Sequence, residues 1–434
     1  MMKLNKTELH IHLIQSLKAE DLINLSKLIL DKIDWNRFSF LDRFGKLFGF
    51  KPNMEQIILD AIKTNDLSEF KKIAVYNDRQ NGTFEKFDIK SFLPYCITGY
   101  YYDNDQVELV LEKIVDRHIK EGIEYIEYRN GFYGEGKEWR DWHARFARYL
   151  KSRKTEKFNP KYIVRLGNYT EVKKILEENP DLIDTILGID FSGREQSPLS
   201  IMKFYKKYNE DLKNKIHKLQ LVVHIGEDFF DKSLDSAIRW IHQTALFGAK
   251  RLAHCIGLGM DPLVAINRKK DAHAFETIKE RLDQIEYDIK YVNQLNQFGI
   301  SVDIQKLESE YDQLNKRDHN ELIRIDYTRE KLEEIRLRQN FVLSELKKLN
   351  TIIEICPTSN LVIGNVLTYK DHSLHKILAS EVDVVICTDD PGIFDITLSD
   401  EFSLLQEMGY SLEYLKKRLK DPLMFTLEQL QNRT

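Results

Sequence analysis

Two histidines stand two residues apart near the start of the chain, in Glu8-Leu9-His10-Ile11-His12-Leu13. On a β-strand, positions i and i+2 point to the same face. Both imidazoles can therefore reach one metal ion if the end of that strand faces a site. Three more segments with metal-type side chains follow: Val223-His224-Ile225-Gly226-Glu227, Arg251-Leu252-Ala253-His254 and Thr388-Asp389-Asp390-Pro391. Each lies at the end of a short apolar run. One HxH pair alone is weak evidence, whereas four such segments, each closing a candidate strand, make a specific pattern.

These residues need elements to position them. Eight short runs read as strands: Thr7–Leu13, Ile123–Arg129, Tyr162–Leu166, Leu187–Phe191, Leu219–Ile225, Arg251–His254, Ile352–Cys356 and Val382–Cys387. Several are nearly unbroken Val, Ile and Leu, as in parallel strands buried on both faces. Amphipathic helical patterns lie between them. In one, Val107, Val110, Leu111, Ile114, Val115 and His118 share a stripe. Eight strands with helical crossovers predict a closed (β/α)8 TIM-type barrel, and the metal-type residues fall at the C-terminal strand ends where such barrels build active sites. No glycine-rich phosphate loop follows the first strand, which argues against a dinucleotide-binding sheet.

Two intervals exceed a simple crossover. Residues between Leu13 and Ile123 are expected to form several helices, either a lid region over the barrel mouth or decoration of its rim. Between His254 and Cys356, Phe275, Ile278, Leu282, Ile285, Ile289 and Val292 recur at heptad spacing, and Leu332, Ile335, Gln339, Val342, Leu346 and Leu349 repeat the rhythm. The pattern predicts an inserted antiparallel coiled-coil hairpin over 268–350, turning around Phe298–Ile325, within one barrel domain spanning 1–434. Such a hairpin is either inert decoration or a surface for self-association or a protein partner.

With 434 residues, 42% of them hydrophobic, the chain can bury a large core, and its net charge of -4 marks no general nucleic-acid or membrane surface. The four cysteines lack CxxC spacing and fit a reducing cytoplasm. No leader-like or membrane-spanning run stands out, so a soluble, cytoplasmic protein is expected.

Taken in order, the motifs resemble those of the adenosine deaminase family of metal-dependent hydrolases. The matching segments are Glu8–Leu13, Gly188–Gly193, His224–Glu227, Arg251–His254, Glu354–Asn360 and Thr388–Pro391. The resemblance implies that His10, His12, His224 and Asp389 hold a metal. Three imidazoles and one carboxylate suit zinc, one ion per subunit, with a position left for water. Zinc lowers the pKa of that water to roughly 7, and hydroxide can then attack C6 of an adenine ring. In the family pattern Glu227 supplies a proton at N1, His254 orients the hydroxide, Asp390 holds water or the N7 side, and Gly193 meets N3. The run Leu187–Phe191 has no lysine to bridge a second ion, so a single metal is expected. Glu354, Pro357 and Asn360 read as structural bracing, and Glu127 with Arg129 as an internal ion pair.

The chain departs from the pattern in places. Ile14 and Gln15 stand where the family has a polar residue and then glycine, Arg194 replaces an acid, and Cys255 replaces a glycine. The polar group lost at Ile14 would meet the 5′ end of a ribose, His12 counts among the substrate-binding residues as well as the ligands, and Arg194 can take a phosphate bidentately. The expected substrate is thus an adenine-type nucleoside or nucleotide. An N6-modified adenine nucleotide, or a silent scaffold assembling through the hairpin, are the alternatives.

Overall fold

The computed structural model describes residues 3–431 except 78–82, 132–134, 166–168, 193–194, 196, 214–218, 228–231, 270–272, 364–365 and 367. Its strands in chain order are β1 (Thr7–His12), β2 (Tyr125–Asn130), β3 (Asn159–Arg165), β4 (Ile186–Phe191), β5 (Gln220–Ile225), β6 (Arg251–His254), β7 (His273–Thr277), β8 (Leu322–Asp326), β9 (Ile352–Ile355) and β10 (Asp383–Ile386). Eight of these pair in the order β1-β2-β3-β4-β5-β6-β9-β10, every neighbour parallel. The last strand returns to the first just beyond β10, where the His12 amide donates to the Asp389 carbonyl and the Asp389 amide donates to the His10 carbonyl, both at 2.9 Å. The expected (β/α)8 barrel is therefore present, and all eight expected strands belong to it.

Alternation along the strands sorts the barrel interior into layers. An apolar layer including Tyr125, Ile163, Val222, Ile352 and Val385 fills the lower part, plugged from below by Phe425, Leu427 and Leu430. Above it lies a fully buried ionic layer. Arg251 pairs with Glu127 and Glu354, and Arg129 pairs with Glu354 at 2.5 Å. Glu127 and Arg129 are thus both in an internal ion network, as expected, but each pairs mainly with a different partner. The outer face of the sheet packs against helices such as Val107–Lys120, whose stripe of Val107, Val110, Leu111, Ile114, Val115 and His118 is buried as its spacing requires.

The interval between β1 and β2 holds seven α-helices among the described residues. Part of it sits on the C-terminal rim of the barrel: the Tyr76 amide donates to the Ile393 carbonyl at 2.8 Å, and Phe87 stacks on Phe394 with 5.7 Å between ring centroids. This segment therefore packs beside the turn that carries Asp389 and Asp390.

The coiled-coil hairpin expected over 268–350 is a correction. Its first arm is not one helix: Phe275 lies in β7, which pairs antiparallel with β8 and leaves that ring half-exposed. Ile278, Leu282 and Ile285 do lie on the helix Ile278–Lys290, but they cluster with Leu314 of the helix Ile304–Leu314. The second arm is one helix, Arg329–Lys348, and it packs against the barrel helix Leu234–Leu246. Its seam residue Gln339 is fully buried. The amide donates to the Gly257 and Met260 carbonyls at 2.8 Å each, and its oxygen accepts from Lys376 at 2.7 Å. A 3-4 apolar rhythm describes a helix docked on a barrel as well as one in a coiled coil, and here the second seam faces the barrel. No helix of the described residues is long and apolar enough to cross a membrane.

Candidate active site

His10 and His12 occupy the end of β1, His224 the end of β5, His254 the end of β6, and Asp389 and Asp390 the turn after β10. All six are buried. The backbone exchange that closes the barrel also sets the Asp389 carboxylate beside both β1 histidines. Its Oδ1 lies 3.2 Å from His10 Nε2 and 3.2 Å from His12 Nε2, and His12 Nε2 lies 3.3 Å from His224 Nε2. Donors about 2.1 Å from a tetrahedral ion stand about 3.4 Å apart. Three of the pairs among these donors, His10–Asp389, His12–Asp389 and His12–His224, thus stand near that spacing. His254 also stands within this group: one atom each from His10, His224, His254 and Asp389 lie within 4.8 Å of one another, and a second set, His12, Asp389 and Asp390, shares Asp389.

Neighbouring side chains hold these rings in place. His224 Nδ1 is 3.0 Å from Asp190 Oδ1, His254 Nδ1 is 3.0 Å from Asn360 Oδ1, and His10 Nδ1 faces Glu354 Oε2 at 3.0 Å. With Nδ1 hydrogen-bonded, the His224 and His254 rings present Nε2 to the centre, as a metal-ligating histidine must. His10 Nε2 and His254 Nε2 are buried without a hydrogen bond, a state that costs free energy unless something else satisfies them. Ser359 donates to Asp389 Oδ2 at 2.7 Å. Beneath them Glu8 accepts from the His10 amide at 3.0 Å and from the Thr388 amide and hydroxyl at 3.1 and 2.9 Å, tying β1 to β10.

The electrostatics separate the groups. Burial lowers the pKa of His12 to about 4 and that of His224 well below its ordinary value, which leaves both rings neutral and able to donate a lone pair. Burial acts against the charged form of Asp389, but the His10 and His12 rings beside it outweigh that and hold the carboxyl well below the usual range. Asp390 goes the other way: burial and the adjacent Asp389 push it well above. Burial also raises Glu8 to about 7.

Three positions carry unusual backbone. His254, Cys255 and Asp389 have φ of +65°, +49° and +66°, a region that costs non-glycine residues free energy and collects at functional sites. The left-handed conformation at Cys255 accounts for a glycine being the easier residue there. Asp390 occupies the N-cap position of the short helix Pro391–Phe394 without a side-chain cap bond, so its carboxyl is left for the site. Glu227 lies just past β5, nearly buried, with Oε2 3.6 Å from His254 Nε2. Gly193 and Arg194 lie outside the described residues.

Sequence reasoning passed over several residues that the fold brings here. Glu8 continues the i, i+2 alternation of His10 and His12 backwards by one step. Asp190 lay inside a quoted motif without a role. Glu354 and Asn360 were read as bracing, and each holds a histidine ring. Arg165, at the end of β3, had no motif at all.

Residues 321–424 match the model of a protein family described as adenosine deaminase. That stretch contains Glu354, Asn360, Asp389 and Asp390. An adenosine deaminase-like protein of Drosophila melanogaster is 43% identical over 65 residues, 15% of this chain and 19% of the relative. An adenosine deaminase of Plasmodium gallinaceum is 35% identical over 77 residues, 18% of this chain and 21% of the relative. The matches thus span about a fifth of the length of these curated relatives. Two solved structures superpose over nearly the whole chain. The N6-mAMP deaminase MAPDA of Arabidopsis has a TM-score of 0.54 at 16% identity, covering 99% of this chain and 96% of that one. Arabidopsis ADAL complexed with IMP has a TM-score of 0.55 at 16% identity, covering 99% and 94%. At that identity the superpositions establish the shared fold.

Proposed function

Starting from a chain related to the adenosine deaminase family, we propose that it is a divalent-metal-dependent aminohydrolase acting at C6 of an adenine nucleotide. The observation that carries this reading is the buried cluster at the C-terminal mouth of the barrel: His10, His224, His254 and Asp389 group together, His12 lies beside Asp389 and His224, and Glu227 faces His254. In this reading those four residues hold the ion. Zinc suits such donors, and when bound it supplies Lewis acidity that brings the pKa of water to about 7. His254 is placed on the attacking water and not among the ligands, because its Nε2 is 3.6 Å from Glu227 and so lies on a proton path.

The side chains then divide the proton work. The Glu227 carboxyl gives a proton to ring N1 while water adds at C6, so no free charge builds on the purine. His254, held by Asn360 through Nδ1, accepts a hydrogen bond from the water at Nε2 and takes its proton. Asp390, whose carboxyl burial and Asp389 push towards the protonated form, faces the N7 side of the base. The C6–N6 bond breaks as His254 returns its proton to the leaving nitrogen, the C6 hydroxyl gives its proton to Glu227, and a 6-oxopurine forms. The burial of all these groups excludes bulk water from the charge that develops.

The substrate is proposed as an adenine 5′-monophosphate with an amino or small N6-alkylamino group, in keeping with the nucleotide named for one superposed neighbour and bound by the other. The test is release of ammonia or methylamine from AMP, N6-methyl-AMP and adenosine by the zinc-loaded protein, with Glu227→Gln alongside. Turnover of a nucleotide, lost by a factor of about 100 or more in Glu227→Gln with the metal retained, is expected. Absence of turnover on all three, or full activity in the variant, overturns the reading.

A further inference from the structure

We propose that Arg165 is the anion-reading residue of this mouth, and that its guanidinium takes the 5′-phosphate of a purine nucleotide. The alternation of β3 points Arg165 inward. Two residues earlier Ile163 belongs to the interior apolar layer, and two before that Lys161 pairs with Glu428 at the barrel floor. Arg165 is the uppermost of the three. It lies in register with Asp190 of β4, and its Nε donates to the Ser192 hydroxyl just past that strand.

What sets Arg165 apart is how it is compensated. The two arginines lower in the barrel, Arg129 and Arg251, are each paired with glutamates. Among the described residues no carboxylate lies within 4.0 Å of the Arg165 guanidinium, and its two terminal nitrogens make no hydrogen bond. Asp190, its register neighbour, is taken up by His224 and Arg129. Yet the residue is only partly exposed. The guanidinium therefore sits at the mouth end of β3, beside the carboxylate that holds His224.

The backbone makes room for this placement. A Cβ on Gly131, just past β2, would stand 2.5 Å from the Arg165 carbonyl oxygen and 2.8 Å from its Cβ. Only a residue without a side chain lets the end of β2 lie against this position. An uncompensated cation beside a divalent-cation site is repelled by it, and a phosphate dianion bridges the conflict. The planar fork of the guanidinium, with its terminal nitrogens still available, suits bidentate contact with phosphate oxygens.

The identity of the base rests on the aminohydrolase reading, while the anion contact does not. The test therefore measures binding with a nucleotide the proposed reaction leaves unchanged. IMP and inosine are titrated calorimetrically into zinc-loaded wild type, Arg165→Gln and Arg165→Lys, with folding of each variant checked by its urea midpoint. Wild type is expected to bind IMP at least tenfold more tightly than inosine. Arg165→Gln should erase most of that preference, and Arg165→Lys should restore part of it because the charge returns without the fork. No IMP preference in wild type, an unchanged preference in Arg165→Gln, or equal weakening of both ligands overturns the proposal. An Arg165-dependent IMP preference in a protein that releases no amine keeps this inference and removes the aminohydrolase reading. Amine release with a preference indifferent to Arg165 does the reverse.

Discussion

Glu354→Gln tests how the buried ionic layer supports the metal site. Glu354 is fully buried, with Oε1 2.5 Å from Arg251 Nε, and Oε2 2.5 Å from Arg129 Nη2 and 3.0 Å from His10 Nδ1. In the variant Arg251 keeps Glu127. Arg129 is left with Asp190 at 3.6 Å, a carboxylate already engaged by His224. Removing one partner of a buried pair costs about 3–5 kcal/mol. Losing the carboxylate behind a ligating histidine costs about 10–100-fold in metal affinity, or about 1.4–2.7 kcal/mol. The two effects separate experimentally. Urea unfolding of metal-free protein reads the first, and zinc titration against a competing chelator in the absence of urea reads the second. Glu127→Gln is the control, since Glu127 pairs with Arg251 and does not touch His10. It should destabilise the fold and leave zinc affinity close to wild type. The reasoning is refuted if Glu354→Gln unfolds at the wild-type urea concentration, or if the two variants lose zinc affinity equally.

Further outcomes follow from other parts of the structure. Gly392→Ala places a Cβ 2.2 Å from the Leu17 carbonyl oxygen and 2.6 Å from that of Gln15; the turn bearing Asp389 must shift, so a loss of about 1–3 kcal/mol in urea unfolding together with weaker zinc binding is expected. Gln339→Leu strips the Gly257 and Met260 carbonyls and the Lys376 ammonium of their partner; about 2–3 kcal/mol of stability should go, with no change in zinc affinity, and an unchanged midpoint contradicts the docking described for that helix. His143 is buried against the Tyr162 hydroxyl, and burial lowers its pKa to about 3. The unfolded state protonates this ring near pH 6.5 while the native state does not, so its contribution is present above pH 6.5 and is lost as pH falls towards 3. Between pH 7 and 5, wild type should lose roughly 2 kcal/mol more than His143→Asn, and parallel pH profiles for the two proteins rule this out.

Much of this was legible in the sequence because its physics is local. The eight barrel strands are short apolar runs, and the residues that end them are the ones that line the mouth, so the ligand candidates could be read before the fold was known. What local pattern could not supply was partner choice across the barrel. Glu354 and Arg251 are 103 positions apart, and no spacing rule links them. The seam through Gln339 was correctly apolar and correctly helical, but periodicity does not say which surface covers a stripe. Phe275 was assigned to a helix on spacing alone, and tertiary pairing with β8 overrode it. Arg165 was invisible for a different reason: its significance lies in the carboxylate it lacks, which only the assembled mouth reveals.

The central claim is that His10, His12, His224 and Asp389 share one divalent ion. Its most direct test is the zinc content, by mass spectrometry of exhaustively dialysed protein, of wild type and of Asp389→Ala. The account predicts about one ion per chain in wild type and little in the variant, with both folded. Wild type that retains no metal after loading, or a variant that retains as much as wild type, contradicts it.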